Sequence, residues 1–266
     1  VAGAQGRAGV ILNLVELGQG PPLCLLHGLF GQSGNFATVQ KSLVGRGFRV
    51  LALDLRNHGA SPHAPVMDYP TMAEDVLETL RAHRALPCAI VGHSMGGKVA
   101  MRAALEAPAA VGHLIVADIA PVRYPPAFRA FADAMTALDL APGLTRARAD
   151  AAIADAVAAP GVRAFLLQNL RVGAAPSWKI GLAEIAAALP AIEDWPETEG
   201  VSYPGPALFI AGARSDYIRQ DHRPAIRALF PEARFVTLKD AGHWLHADNP
   251  AGFVALVEAA LARDTR

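Results

Sequence analysis

The chain is 266 residues long and carries 24 Lys+Arg against 24 Asp+Glu, for a formal net charge of zero. That length suits one large α/β domain with room for an insertion, and a chain of this size buries enough apolar surface to fold without disulfide staples. The even charge, with no basic stripe interleaved with aromatics, excludes nucleic acid as the expected partner, and no uninterrupted apolar run reaches the length of a membrane span.

A first strand is expected over Ile11–Leu17, closed by Gly18-Gln19-Gly20-Pro21-Pro22. Leu23–Leu26 is a short apolar strand running into His27-Gly28, and Asn35 to Arg46 has helical spacing through Phe36, Val39 and Leu43. Phe48–Leu53 is a strand ending at Asp54. Thr71-Met72-Ala73-Glu74 reads as a capping box that opens a helix to about Arg84. Cys88–Val91 and Leu114–Ala117 are further strands, the second ending at Asp118. This alternation predicts a mostly parallel sheet covered on both faces, with strands that are continuous apolar runs. The two cysteines, Cys24 and Cys88, fall in such strands and read as small buried core residues rather than a redox pair. No charged-then-apolar leader is visible from Val1.

From about Ala120 to Pro204 strand-like runs vanish and alanine-rich helical segments take over: Pro126–Leu138, Ala147–Val157, Val162–Leu170 and Lys179–Leu189. Pro142-Gly143, Pro160-Gly161 and Pro190 punctuate them. The block is longer than one crossover connection, so 120–204 is expected to be a helical cap inserted into a core formed by 1–119 and 205–266. The strand pattern resumes at Ala207–Ala211, followed by a helix over Gln220–Phe230 and a strand over Arg234–Leu238. Asn249-Pro250 is an N-cap with proline at the first helical position, opening the C-terminal helix.

The densest chemical signal is Gly92-His93-Ser94-Met95-Gly96, a G-x-S-x-G run between the strand Cys88–Val91 and a helical stretch from Gly97 to Leu105. Strand, sharp turn and helix are the context of a nucleophile elbow, which lifts a serine hydroxyl above the carboxyl edge of a sheet. Ser94 is therefore the candidate nucleophile. A serine needs a base. His243, in the tight loop Ala241-Gly242-His243-Trp244 after the last strand, has the right chain order for that role. His246 is its nearest competitor, and a His243–His246 metal pair lacks a further ligand to complete a set. Two aspartates at strand ends, Asp118 and Asp216, are each able to orient the imidazole, and position alone favours neither. The N–H of Met95, directly after the serine, and that of Leu29, in His27-Gly28-Leu29-Phe30-Gly31, are the candidate oxyanion donors. His27 reads as a structural hydrogen-bonder, Arg56 as part of a polar network beside the site, and Lys98 as an anchor. Phe128, Phe131, Phe165, Trp178 and Trp244 together suggest an apolar roof over Ser94.

Five stretches carry a resemblance: His27-Gly28-Leu29-Phe30-Gly31, Asp54 to Ser61, Gly92 to Lys98, Asp118-Ile119-Ala120-Pro121-Val122 and Ala241 to His246. Through them the chain resembles the α/β-hydrolase family, and within it a group of small bacterial serine esterases with mammalian mitochondrial relatives. The resemblance implies an esterase of short to medium acyl esters with a helical cap. It also places the acid on the earlier strand, at Asp118; in the general family the acid stands a few residues after the strand ending near Gly212, where this chain has Ser215 and Asp216. The expectation is thus a cytoplasmic carboxylesterase, monomer or homodimer, with Ser94, Asp118 and His243 as triad and no metal or organic cofactor. A thioesterase, lactonase, carbon–carbon bond hydrolase or cofactor-free perhydrolase uses the same scaffold. A ligand receptor that keeps the fold is the alternative from another class.

Overall fold

In the computed structural model, which describes residues 9–196, 198 and 200–262, seven strands form the central sheet. In chain order they and the helices are β1 (Leu14–Leu17), β2 (Pro22–Leu26), α1 (Ala37–Val44), β3 (Arg49–Leu53), α2 (Tyr69–Ala82), β4 (Cys88–His93), α3 (Met95–Glu106) and β5 (Val111–Ala117). Next come α4 (Arg129–Ala137), α5 (Arg146–Ala152), α6 (Pro160–Leu167), the two-residue strands β6 (Leu170–Arg171) and β7 (Ser177–Trp178), and α7 (Leu182–Glu193). The chain closes with β8 (Ala207–Gly212), α8 (Arg223–Leu229), β9 (Ala233–Leu238), α9 (Leu245–Asp248) and α10 (Pro250–Leu261). The amino-terminal residues on which the absence of a leader was read lie outside the described ones.

The sheet order is β1-β3-β2-β4-β5-β8-β9, parallel throughout except for the antiparallel edge pair β1–β3. The period of two along each strand splits the core into two layers. Cys24, Leu26, Ile90, Leu114 and Val116 point to the face packed by α2, α3 and α8. Leu23, Leu25, Val91, Ile115 and Ala117 point to the face packed by α1 and α10. Both faces are covered, which is why these strands read as unbroken apolar runs. Cys24 and Cys88 are buried free thiols, and burial pushes Cys88 up to about 12.

Several boundaries differ from the sequence expectation for local reasons. The first strand begins at Leu14, not Ile11, because α2 takes the preceding backbone: Val10 N–H donates to Asp75 Oδ1 at 2.8 Å and Leu12 N–H to Thr79 Oγ1 at 2.9 Å. Helix α2 starts earlier than the Thr71 capping box. Its N-cap is Asp68, whose carboxylate accepts the Thr71 N–H at 2.8 Å, with Pro70 in the first turn. Pro190 lies inside α7 instead of ending it. Its missing N–H would leave the Ala186 carbonyl unpaired, and Arg129 supplies the donor at 3.0 Å. The stretch 120–204 is not wholly strand-free, since Leu170 and Arg171 pair with Trp178 and Ser177 in a short hairpin. No helix among the described residues is long and apolar enough to cross a membrane.

Candidate active site

The serine sits where β4 turns into α3. Ser94 has φ 52° and ψ −120°, a backbone state uncommon for a residue with a side chain. The glycines around it allow the turn. A Cβ on Gly92 would stand 2.2 Å from the Gly96 carbonyl oxygen, and one on Gly96 would stand 2.4 Å from that of Leu26. The Ser94 N–H donates to Ala117 O at 3.0 Å, tying the elbow to β5. Met95 is the first residue of α3, so its N–H has no partner within the helix and lies at the positive end of the helix dipole.

The loop after β2 brings Leu29 to the same place, where Leu29, Ser94 and His243 line both cavities of the site. Two buried neutral histidines hold this loop. His27 donates from Nδ1 to Gly28 O at 2.8 Å and accepts the Leu55 N–H on Nε2 at 3.0 Å. His58 donates from Nδ1 to Arg56 O at 2.9 Å and accepts the Phe30 N–H at 3.0 Å. Burial, aided by the His27 ring, pushes His58 down to about 3, so its Nε2 stays an acceptor. Arg56 is turned away from the site and paired with the buried Asp75 through contacts of 2.5 and 2.6 Å. The sequence signalled this polar network but not the His58–Phe30 bond that fixes the loop.

His243 donates from Nδ1 to Asp118 Oδ2 at 2.8 Å, which leaves Nε2 uncommitted. Asp118 is fully buried at the end of β5 and adopts φ 54°. Its carboxylate also accepts the Gly212 N–H at 3.0 Å and the Ser215 hydroxyl, the latter on the oxygen that faces His243. Asp216 is exposed and borders the larger cavity, with no bond to the imidazole. The imidazole is held between two rings: Tyr217 stacks on it at 4.1 Å and 23°, and His93 lies at 4.8 Å and hydrogen-bonds the His243 carbonyl at 2.7 Å. His93 stands in the elbow motif, where the sequence gives it no role of its own, and nothing in the sequence pattern marks Tyr217. His246 is buried against Phe36 and His93, 4.6 and 4.8 Å between ring centres, and lies on the wall of the smaller cavity.

The two cavities differ in character. The smaller, about 70 Å³, is walled by Phe128, Phe131, Val162, Phe165 and Trp244. Trp178, expected in that wall, instead packs beside Leu138, Leu167 and Leu170 away from the serine, because β7 pins it to Leu170. The larger, about 460 Å³, mixes apolar groups with Lys98, Glu193 and Tyr124.

Residues 21–250 match the family described as the alpha/beta hydrolase fold. The chain is 42% identical over 250 residues to mouse sn-1-specific diacylglycerol lipase ABHD11, covering 91% of this chain and 81% of that one. It is 36% identical to esterase YbfF of Escherichia coli K12, covering 86% of this chain and 88% of YbfF. A solved marine microorganism esterase superposes with a TM-score of 0.91 at 35% identity, over 94% of this chain and 99% of that one. The chain belongs to the α/β-hydrolase fold family and, within it, to the carboxylic ester hydrolases.

Proposed function

We propose that the protein is a serine carboxylesterase of short to medium acyl esters working through a Ser94–His243–Asp118 triad. The observation that carries this reading is the 2.8 Å bond from His243 Nδ1 to the buried Asp118 carboxylate, with Ser94 on the same cavity walls. His243 Nε2 takes the proton as Ser94 Oγ attacks the ester carbonyl, and Asp118 holds the tautomer and the charge that forms. The N–H groups of Met95 and Leu29 receive the oxyanion. His243 then protonates the leaving alcohol. Water, activated by the same imidazole, cleaves the acyl-enzyme. In this reading 120–204 is a helical cap on the core formed by 1–119 and 205–266, and its aromatic side chains receive the hydrocarbon part of the ester.

Turnover of p-nitrophenyl butyrate tests the assignment. Ser94→Ala lowers kcat by roughly 10⁴-fold or more, and Asp118→Asn by roughly 10³- to 10⁴-fold. Asp216→Asn leaves turnover within about threefold of the parent, since an exposed side chain off the imidazole changes little. Activity retained in Ser94→Ala, or lost only in Asp216→Asn, overturns the triad.

A further inference from the structure

Among the described residues, Lys98 is the one buried cation lining the cavities beside Ser94, and the mechanism leaves it unused. It stands four residues after the serine on α3, one helical turn along the same face. It is 1% exposed yet borders the larger cavity together with Ser94, Met95 and His243. Its Nζ donates to the Asp194 carbonyl at 2.7 Å and sits 5.4 and 5.0 Å from the ring centres of Tyr69 and Tyr124. An ammonium has three N–H donors, and here the hydrogen-bond partner is a carbonyl rather than a carboxylate. The nearby Glu193 accepts the N–H groups of Ala127 and Phe128 on one carboxylate oxygen, at 2.7 and 3.1 Å, and makes no hydrogen bond to Lys98. Burial therefore outweighs the pull of Asp194 and Glu193 and brings the lysine down to about 7. Placing a cation there costs desolvation that an apolar side chain of similar length would avoid.

We propose that the larger cavity is a subsite for an oxygen-bearing group of the substrate, a carboxylate or a second ester carbonyl several bonds from the scissile one, and that Lys98 recognises it. The proposal deepens the serine-esterase reading and rests on it. The ester then lies with its hydrocarbon end among Phe128, Phe131 and Phe165 and its oxygen-bearing end toward Lys98.

The test compares methanol release at pH 6.5 from methyl hexanoate, dimethyl glutarate and monomethyl glutarate, which differ in the terminal oxygen group. In Lys98→Met the ratio of kcat/KM for the glutarates over the hexanoate falls about tenfold or more, the loss appearing in KM, as expected for a hydrogen bond to a charged donor. Lys98→Gln, which keeps two N–H donors without the charge, recovers part of the ratio for dimethyl glutarate and not for the monoester. Thermal unfolding of both variants separates selectivity from folding. An unchanged ratio in Lys98→Met, or a parallel fall on all three esters, overturns the subsite. Ser94→Ala run beside them isolates the underlying reading: turnover that survives in it sinks the serine mechanism, whereas its loss together with an unchanged Lys98→Met ratio sinks the subsite alone.

Discussion

Ser215 stands three residues past Gly212, in the region that carries the acid in the general family, and its hydroxyl donates to Asp118 on the very oxygen that accepts His243 Nδ1–H. Under the triad reading it positions the carboxylate. Deleting that donor removes one of the bonds that fix Asp118 Oδ2 against the imidazole. Ser215→Ala is therefore expected to lower kcat by about tenfold, while Ser215→Thr, which keeps the hydroxyl, restores it. An unchanged kcat in Ser215→Ala, or a loss that Ser215→Thr shares, means that the hydroxyl does not position the carboxylate. The same residues show what a sequence can and cannot say about a site. Ser94 and His243 were legible because a strand end, a glycine turn and chain order specify them locally. Position along the chain left Asp118 and Asp216 open, and only the family resemblance pointed to Asp118, because which carboxylate meets the imidazole depends on the φ 54° turn at Asp118 and on the course of the loop after β8. Lys98 lay in a recognised motif, but its burial depends on Tyr69 and Tyr124 arriving from distant segments.

At the scale of elements, long apolar strands and capped helices were legible, while short or compensated features were not. The β6–β7 hairpin has two residues per strand, too few to show a period. Pro190 reads as a helix stop until Arg129 is seen to satisfy the Ala186 carbonyl. Glycines make the contrast quantitative. A Cβ on Gly96 would meet the backbone oxygens of Leu26 and His27 at 2.4 and 2.5 Å, and main-chain atoms in a central strand cannot step aside cheaply. One on Gly161, in the first turn of α6, meets nothing within 4 Å. Gly96→Ala should destabilise the protein by about 3 kcal/mol and abolish turnover, whereas Gly161→Ala should gain up to about 1 kcal/mol at unchanged turnover. Urea midpoints measured with ester turnover decide it; a tolerated Gly96→Ala would mean that the elbow does not need its tight approach to β2.

Across the whole molecule the folded state holds His27, His58, His93 and His246 neutral, each chiefly by burial. Their folded pKa values lie below the unfolded one near 6.5, so the unfolded chain binds more protons between the two. The stability they contribute is fully present above pH 6.5 and drains away as the pH falls toward the folded values, about 4 for His246 and about 3 for His58. Asp54, held below the usual carboxylate range by the N–H groups of Ala60 and Ser33 against the opposing effect of burial, adds its loss only at lower pH. Lys98 acts in a separate window, since its folded value of about 7 makes stability rise with pH above that point. The interval from pH 6.5 to 4.5 thus belongs to the imidazoles. His246 offers the cleanest substitution, because its Nδ1 has no hydrogen-bond partner among the described residues and its ring packs on Phe36 and Phe253. His246→Leu should unfold within a few degrees of the parent at pH 8. It should then overtake the parent as the pH falls, removing up to ~3 kcal/mol of acid sensitivity. Melting temperatures of the two proteins followed from pH 8 to 4.5 check this, and parallel curves would show that His246 binds its proton as readily in the folded chain as in the unfolded one.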